Sequence, residues 1–400
     1  MRDDVEAVSG DLVELRRRLH RAPELGLQLP RTQETVLEAL DGLPLEITTG
    51  TSTTSVTAVL RGASRDRAVL LRGDMDALPV DEQSGEPFTS EVPGAMHACG
   101  HDLHTAMLVG AARVLSAHRD SLQGDVVFMF QPGEEGWDGA SSMVDEGVLD
   151  AAGPRVSSAY GLHVMASTYT PRTLNTRPGT VMAARATVGV TVHGAGGHGS
   201  SPFRTRDPIS ALAEVISGLH AMVTRRFDVF DPVVLTVGRI EGGTKSNIIP
   251  DSAFFEATVR TFSAVARERM LELLPQVCRD IARAHGCEAE VVVAGEYPAT
   301  VNDGAEAAFA AEVASELLGP DRVVGMAHPE AGAEDFSRVL DAVPGAFCLL
   351  GAAVGDPKRT PSNHSPRAVF DEAVMTDGVL LHAELARRAL ARGPVAGAPS

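Results

Sequence analysis

The segment His97-Ala98-Cys99-Gly100-His101-Asp102-Leu103-His104 places three imidazoles, a thiol and a carboxylate in one short stretch. Cys99 and His101 stand two apart, so an extended segment presents both to one ion, and thiolate with imidazole suits zinc or a related transition metal. A redox role for Cys99 would need a second thiol at Cys-x-x-Cys spacing, and the sequence has none there. If a helix starts near Asp102, His104 supports the site from behind rather than binding an ion itself. Asp74-Met75-Asp76 follows an apolar run, and alternate residues of an extended chain face one way, so two carboxylates can reach one site. Taken alone, that pair reads as well as a solvated turn. Gln131-Pro132-Gly133-Glu134-Glu135-Gly136 follows another apolar run. Two adjacent carboxylates at a strand end can divide the work, one binding metal and the other activating water. Tyr160-Gly161-Leu162-His163 ends a third run, and Asn363-His364-Ser365-Pro366 offers a last imidazole. The Gly-rich turn Gly194–Pro202 lacks the Gly-Lys-Ser/Thr of a phosphate loop; its His198 could instead donate to a developing oxyanion.

The elements that must position these groups follow from hydrophobic periodicity. Val5, Val8, Leu12, Leu15 and Leu19 predict a first helix. Ala68–Leu71, Val126–Phe130 and Ser157–Leu162 read as buried strands, with a helix over His104–Ala117, an alternation that predicts an α/β sheet. Ligands in such sheets bind beyond the carboxyl ends of the strands, which is where the acidic and His-rich segments fall. The middle of the chain gives a strand at Thr187–His193, a helix through Ile209–Leu219, strands at Val233–Arg239 and Ala253–Phe262, a helix through Met270–Ile281 kinked at Pro275 and stopped by Gly286, and a strand at Glu290–Val293. That β-α-β-β-α-β order predicts a split-βαβ, ferredoxin-like insertion. The α/β pattern resumes with a helix at Ala307–Leu318, a strand at Phe347–Leu350 and a helix at Glu372–Leu390. Expected boundaries are 1–184 for the first part of a catalytic domain, 185–298 for the insertion, 299–391 for the second part and 392–400 for a disordered tail.

The chain has 400 residues, 44% apolar and 22% charged, with aromatics at 4%, enough for two or three domains built on aliphatic cores. A net charge of −18 argues against nucleic acid as a partner, and an anionic substrate would need a local basic pocket. No run is apolar and long enough to span a membrane, no secretory signal core opens the sequence, and four cysteines without framework spacing point to a reducing, cytoplasmic setting.

The quoted strings resemble the aminoacylase/carboxypeptidase-type metallopeptidase superfamily, and within it the hippurate hydrolase and auxin-conjugate (IAA-amino acid) amidohydrolase branch. The resemblance runs from Leu19-His20-Arg21-Ala22-Pro23-Glu24-Leu25-Gly26 through Arg72–Pro79, Met96–His104, Glu134-Glu135, Gly196-Gly197-His198, Asp207-Pro208, Asn247–Pro250, Val259–Phe262 and Gly332–Phe336 to His364-Ser365-Pro366. It implies an α/β, metal-dependent exopeptidase-like catalytic domain, a mixed sheet with helices on both faces, carrying an inserted ferredoxin-like α+β lid. It implies two divalent ions (Zn, Mn, Co or Ni) held by Cys99, His101, Glu135, His163 and His364, with Glu134 as general base and Asp74 or Asp76 orienting a ligand. On the lid, His198 would stabilise the tetrahedral intermediate, Asn247 and Arg260, with Gly332 from the second catalytic part, would hold a small N-acyl amino acid, and hinges near 185 and 298 would close the lid. A dimer or tetramer through the lid is a further implication. The chain departs from the family's pattern at Phe203, Gly133 and Asn363, where His, Ala and a second His are frequent. The resemblance leaves open which amide is cut: an N-acyl amino acid, a dipeptide or a carbamoyl amino acid. A non-catalytic metal-binding protein and a redox protein built on Cys99 are readings of other classes.

Overall fold

The computed structural model describes residues 1–392, so 393–400 of the expected disordered tail lie outside the described residues. The chain divides into two compact units. One comprises Met1–Val181, Val301–His328 and 335–392; the other comprises Met182–Thr300 with Pro329–Glu334.

The first unit opens with helices α1 (Arg2–Arg21) and α2 (Pro30–Leu40). Strands β1 (Leu45–Thr49), β2 (Val56–Leu60) and β3 (Ala68–Asp74) follow, then helix α3 (His101–Ala117), strand β4 (Asp125–Gln131), helix α4 (Gly139–Asp145), and strands β5 (Ser158–Met165) and β6 (Leu174–Thr176). Strand β7 (Gly179–Met182) leads out of this unit. The second unit holds β8 (Ala184–His193), β9 (Gly197–His198), α5 (Pro208–Arg226), β10 (Val233–Gly242), β11 (Ile248–Ile249), β12 (Ser252–Thr261), α6 (Ala264–Ala284) and β13 (Glu288–Tyr297). Strand β14 (Thr300–Asn302) leads back to α7 (Gly304–Leu318), β15 (Val323–Gly325), α8 (Ser337–Leu340), β16 (Gly345–Gly351) and α9 (Val374–Ala391).

The large sheet runs β1-β2-β4-β3-β5-β16-β6-β15. Its centre, β4-β3-β5-β16, is parallel, and the flanking β1-β2-β4 and β16-β6 pairings are antiparallel. Every residue of β3, β4 and β16 is buried, as expected of parallel strands covered on both faces, whose sequences read as unbroken apolar runs. Because the four central strands are parallel, their carboxyl ends, at Asp74, Gln131, Met165 and Gly351, share one edge. Helix α3 is buried almost all round and packs against α1, α9 and β3.

A charged cluster joins α1 to the start of α3. His20 Nδ1 lies 2.8 Å from Asp102 Oδ2 and its Nε2 3.1 Å from Glu82 Oε1. Arg16 Nε is also 2.8 Å from Asp102 Oδ2. Burial disfavours a charged imidazole, but the charge and hydrogen bond of Asp102, with Glu82, outweigh it and raise His20 to about 9.

In the second unit the sheet order is β10-β12-β8-β13, antiparallel throughout, which with α5 and α6 is the split-βαβ arrangement. Val188, Val190, Val192, Phe255 and Ala257 meet Leu212, Val215, Leu219, Met270 and Leu274 of the helices in one core. The alternate residues of β8 and β12 form the sheet's other face.

Several expected boundaries shift. Helix α3 begins at His101, three residues before the sequence expectation, and β3 extends to Asp74. Helix α6 continues unbroken from Ala264 to Ala284 with Pro275 inside it, where the bond to the Leu271 carbonyl is forgone; Gly286 at φ +69° follows its end. Helix α2 and strand β1 are not anticipated from periodicity. Four of the five residues of β1 are exposed, so it carries no apolar pattern to read.

Phe128, fully buried in β4, should cost about 3–5 kcal/mol of stability when replaced by Ala, whereas Phe203→Ala, at an 80% exposed ring, should change it by less than about 0.5 kcal/mol; urea unfolding of both variants checks this. The raised His20 value means that the folded state holds this proton more tightly than the unfolded one. The stabilisation from the cluster should be complete below about pH 6.5, the ordinary His value, and be lost as pH rises through about 9. The stability deficit of His20→Gln relative to wild type should therefore shrink between pH 7 and pH 10; a deficit constant over that window would contradict the assignment.

Candidate metal centre

The parallel strand ends deliver the acidic groups, and the loop before α3 delivers the thiol. Gly100 caps that helix at φ +87°, and a Cβ there would stand 2.4 Å from Val164 Cγ2, so only glycine lets Cys99 and His101 approach β5 so closely. The Cys99 Sγ lies 3.4 Å from His163 Nε2. Liganding atoms of Cys99, His101 and His163 fall within 4.8 Å of one another, as do those of Cys99, Glu135 and His364, and those of His101, Glu134 and Glu135. Shared members link these three sets into one cluster.

The hydrogen bonds of each imidazole decide what it can offer. His101 Nδ1 donates to the Asp76 carbonyl at 2.8 Å, which leaves Nε2 buried and without a hydrogen-bond partner. His163 Nδ1 donates to the Val164 carbonyl at 2.9 Å, which turns Nε2 toward the thiol. Both rings thus keep one lone pair for a cation while a backbone oxygen fixes the tautomer, the arrangement typical of metal-binding histidines. His104 differs. Its Nδ1 donates to Asp74 Oδ1 at 2.6 Å and its Nε2 accepts the Val164 N–H at 2.8 Å. With both nitrogens engaged, it has no lone pair left to give. His364, at φ +68°, brings Nε2 to 3.1 Å from Glu135 Oε1, and its own N–H is held by the Ala98 carbonyl at 2.8 Å.

The two aspartates diverge. Asp74, fully buried, accepts from His104 and pairs with Arg72 NH1 at 2.7 Å. Burial alone would raise its pKa, but Arg72, His101 and His104 hold it well below the ordinary carboxylate value. Asp76 instead accepts the backbone N–H groups of Glu134 and Glu135, both at 3.0 Å, and so fixes the turn that carries them. Neither is the solvated turn residue that the sequence alone allowed. Burial works against charge on Glu135 as well, and the hydrogen bond from His364 lowers its pKa. Hydrogen bonds to Cys99 and Glu135 raise His364 to about 10. Burial keeps His163 and His104 below the ordinary imidazole pKa, so neutral rings and carboxylates face one another in a pocket suited to a cation.

Four supporting groups carry no role in the sequence analysis: Arg72, Gln131, Asp335 and Asn363. Arg72 donates to Gln131 Oε1 at 2.9 Å and reaches Asp335 Oδ1 at 3.2 Å, and Gln131 Nε2 donates to Asp335 at 2.8 Å. Their signal was a charged and an amide residue at the ends of the otherwise apolar runs of β3 and β4. Asn363 donates to the Cys99 and Val164 carbonyls at 3.2 and 3.0 Å and accepts the Ala166 N–H at 2.8 Å; one side chain thus ties together the segments of Cys99, His163 and His364.

The remaining candidate residues lie in the second unit. His198, exposed in the short β9 ladder with β11, accepts the Ser200 N–H at Nδ1 at 3.1 Å, which puts the proton of the neutral ring on Nε2. Asn247 adjoins it through the Gly199 N–H, 2.9 Å from its carbonyl. Arg260 stands apart from them on β12, and the Gly332 carbonyl accepts from Ala183 at 2.9 Å.

Residues 70–388 match the model of peptidase family M20/M25/M40. The chain is 38% identical to IAA-amino acid hydrolase ILR1-like 4 of Arabidopsis thaliana, over 95% of this chain and 86% of that protein. It is 36% identical to thermostable carboxypeptidase 2 of Saccharolobus solfataricus, over 96% and 97%. Among solved structures it is similar to a Bacillus subtilis protein described as a dinuclear metal binding peptidase of the M20 family, with a TM-score of 0.82 and 34% identity over 96% of this chain and 99% of that one. Among the described residues no helix is long and apolar enough to cross a membrane. The chain belongs to peptidase family M20/M25/M40, hydrolases that act on amide bonds.

Proposed function

We propose that this protein is a two-metal amidohydrolase that cuts N-acyl amino acids into a carboxylic acid and a free amino acid. The observation that carries the reading is the pair of imidazoles, His101 and His163, each with one nitrogen anchored to a backbone carbonyl, the other nitrogen of His101 unpartnered and that of His163 turned to the Cys99 thiol. Cys99, His101, Glu135, His163 and His364 would hold two divalent ions of the Zn, Mn, Co or Ni class. Bound there, such ions supply a water of near-neutral pKa and a Lewis acid for the amide carbonyl.

The chain's own groups do the rest. Glu134, its backbone fixed by Asp76, takes the proton of the attacking water and passes it to the leaving amine. Asp74 orients the ligand shell through His104 and Arg72. His198 donates from Nε2 to the oxygen on which charge develops. Asn247 and Gly332 contact the substrate, and Arg260 holds its carboxylate with a two-pronged hydrogen bond. The hydrolase of amino acid conjugates and the carboxypeptidase named above fit one scheme, because each name implies a leaving amine that carries a free carboxylate. All four cysteines are free and buried, which supports a reducing, cytoplasmic setting. The edges β10 and β13 offer a route to a homo-oligomer.

Replacing Glu134 by Gln should lower kcat by about 10²–10⁴-fold while elemental analysis finds the same metal content as wild type. Wild-type turnover by that variant would sink the assignment. Asp76→Ala frees the two amides it holds and should reduce kcat, by about 10-fold or more, with little change in KM; steady-state kinetics on N-acetyl and N-benzoyl amino acids provide the check. Removing metal with a chelator should abolish activity, and refilling with Mn, Zn, Co or Ni should restore it.

A further inference from the structure

Two guanidinium groups stand as cross-strand neighbours on the face of the second unit's sheet opposite its helices. Strand β8 buries Ala184, Ala186, Val188, Val190 and Val192, and β12 buries Ala253, Phe255, Ala257, Val259 and Thr261. Arg185 and Arg260, directly paired in the β8–β12 ladder, therefore both project from the face opposite α5 and α6. Like charges placed opposite one another destabilise a sheet. Arg185 Nε is buried and has no hydrogen-bond partner. No ion pair to either arginine occurs among the described residues.

Their direct neighbours in the sheet ladder are uncharged. Alongside the arginines on this face are Val234 of β10 and Tyr297 of β13 and, in the next rank, Thr236, Thr258, Thr187 and Ala294. The next acidic residue on that face of β12 is Glu256, about 13 Å from Arg260 at strand spacing. Glu296, in the irregular part of β13, is taken by Arg267. Burial and the charge of Arg185 hold the Arg260 guanidinium below its ordinary pKa. On a chain of net charge −18, two adjacent unneutralised cations mark a place for anions.

We propose that Arg185 and Arg260 together seat a dianion, so that the preferred leaving amino acid carries a second carboxylate, as N-acyl glutamates and aspartates do. The inference rests on the reading of Arg260 as the holder of the substrate's carboxylate. Each planar guanidinium matches one carboxylate. Cross-strand neighbours stand about 5 Å apart at Cβ, which suits two carboxylates separated by a short aliphatic chain. The threonine hydroxyls of the adjoining rank add donors.

The test is calorimetric binding to full-length, metal-loaded Glu134→Gln protein, with N-acetyl- and N-benzoyl-L-glutamate set against the isosteric L-glutamine compounds. Glutamate forms should bind about 10–100-fold more tightly. Adding Arg185→Gln should remove most of that ratio, and Arg185→Lys, which keeps the charge, should keep part of it. Equal affinity in the parent protein, or a ratio that survives Arg185→Gln in protein with an unchanged thermal transition, overturns the dianion seat. Arg260→Gln separates the two levels. If it weakens the glutamine compounds while the Arg185 result fails, only the seat is wrong. If it leaves them unchanged, or if no probe binds, the reading of Arg260 fails and the seat with it.

Discussion

A carboxylate taken wholly out of water must be met by positive charge or hydrogen bonds, at a cost of several kcal/mol if it is not. Asp74 sits fully buried at the end of the central strand β3 and is met from three sides. Arg72 and His104 touch it directly, and His101 Nε2 lies 3.5 Å away. Arg72 in turn reaches Gln131 at the end of β4 and Asp335 ahead of α8. One chain of charge thus couples two strand ends, the start of α3 and the segment before α8. Shifting any of them would leave a buried charge uncompensated, and this constraint sets where the candidate ligands can stand.

Within that frame, three neighbouring histidines acquire different chemistry from their hydrogen bonds alone. His101 and His163 each lose one nitrogen to a backbone carbonyl and keep the other; His104 loses both. Asp74 and Asp76, two residues apart, part company in the same way, one neutralising the basic groups and the other fixing the Glu134–Glu135 turn. The left-handed backbone of His364, unfavourable for a residue with a side chain, is retained by the Ala98 carbonyl and by Asn363 beside it. Asn363 stands where a second histidine is common in the family's pattern, and here its amide binds backbone on two segments, at Cys99 and at Val164–Ala166.

The second unit is organised by a different rule. Its helices cover one face of a four-stranded sheet, and strand periodicity sets Arg185, Thr187, Thr258 and Arg260 on the other face beside the exposed Val234 and Val292. The acidic total charge of the chain makes the local sign of that face informative, since Arg185 and Arg260 run against it.

Chemistry-bearing residue types, their positions after apolar runs and the β-α-β-β-α-β order were all legible in the sequence, because periodicity and local spacing are properties of neighbouring residues. Cys99 and His101 could be read as a pair for that reason, and the α/β sheet followed from apolar runs alternating with helical stretches. What the chain alone left undecided was every distinction that depends on partners distant in sequence. Asp74 and Asp76 could not be told apart until His104 and the Glu134–Glu135 amides reached them. The saturation of His104 depended on Val164, 60 residues away. The Arg72–Gln131–Asp335 network spans 263 residues, and the facing arginines became a pair only through the register of β8 and β12. Hydrogen bonding and charge compensation are satisfied in space, and only the tertiary structure brings those groups within reach.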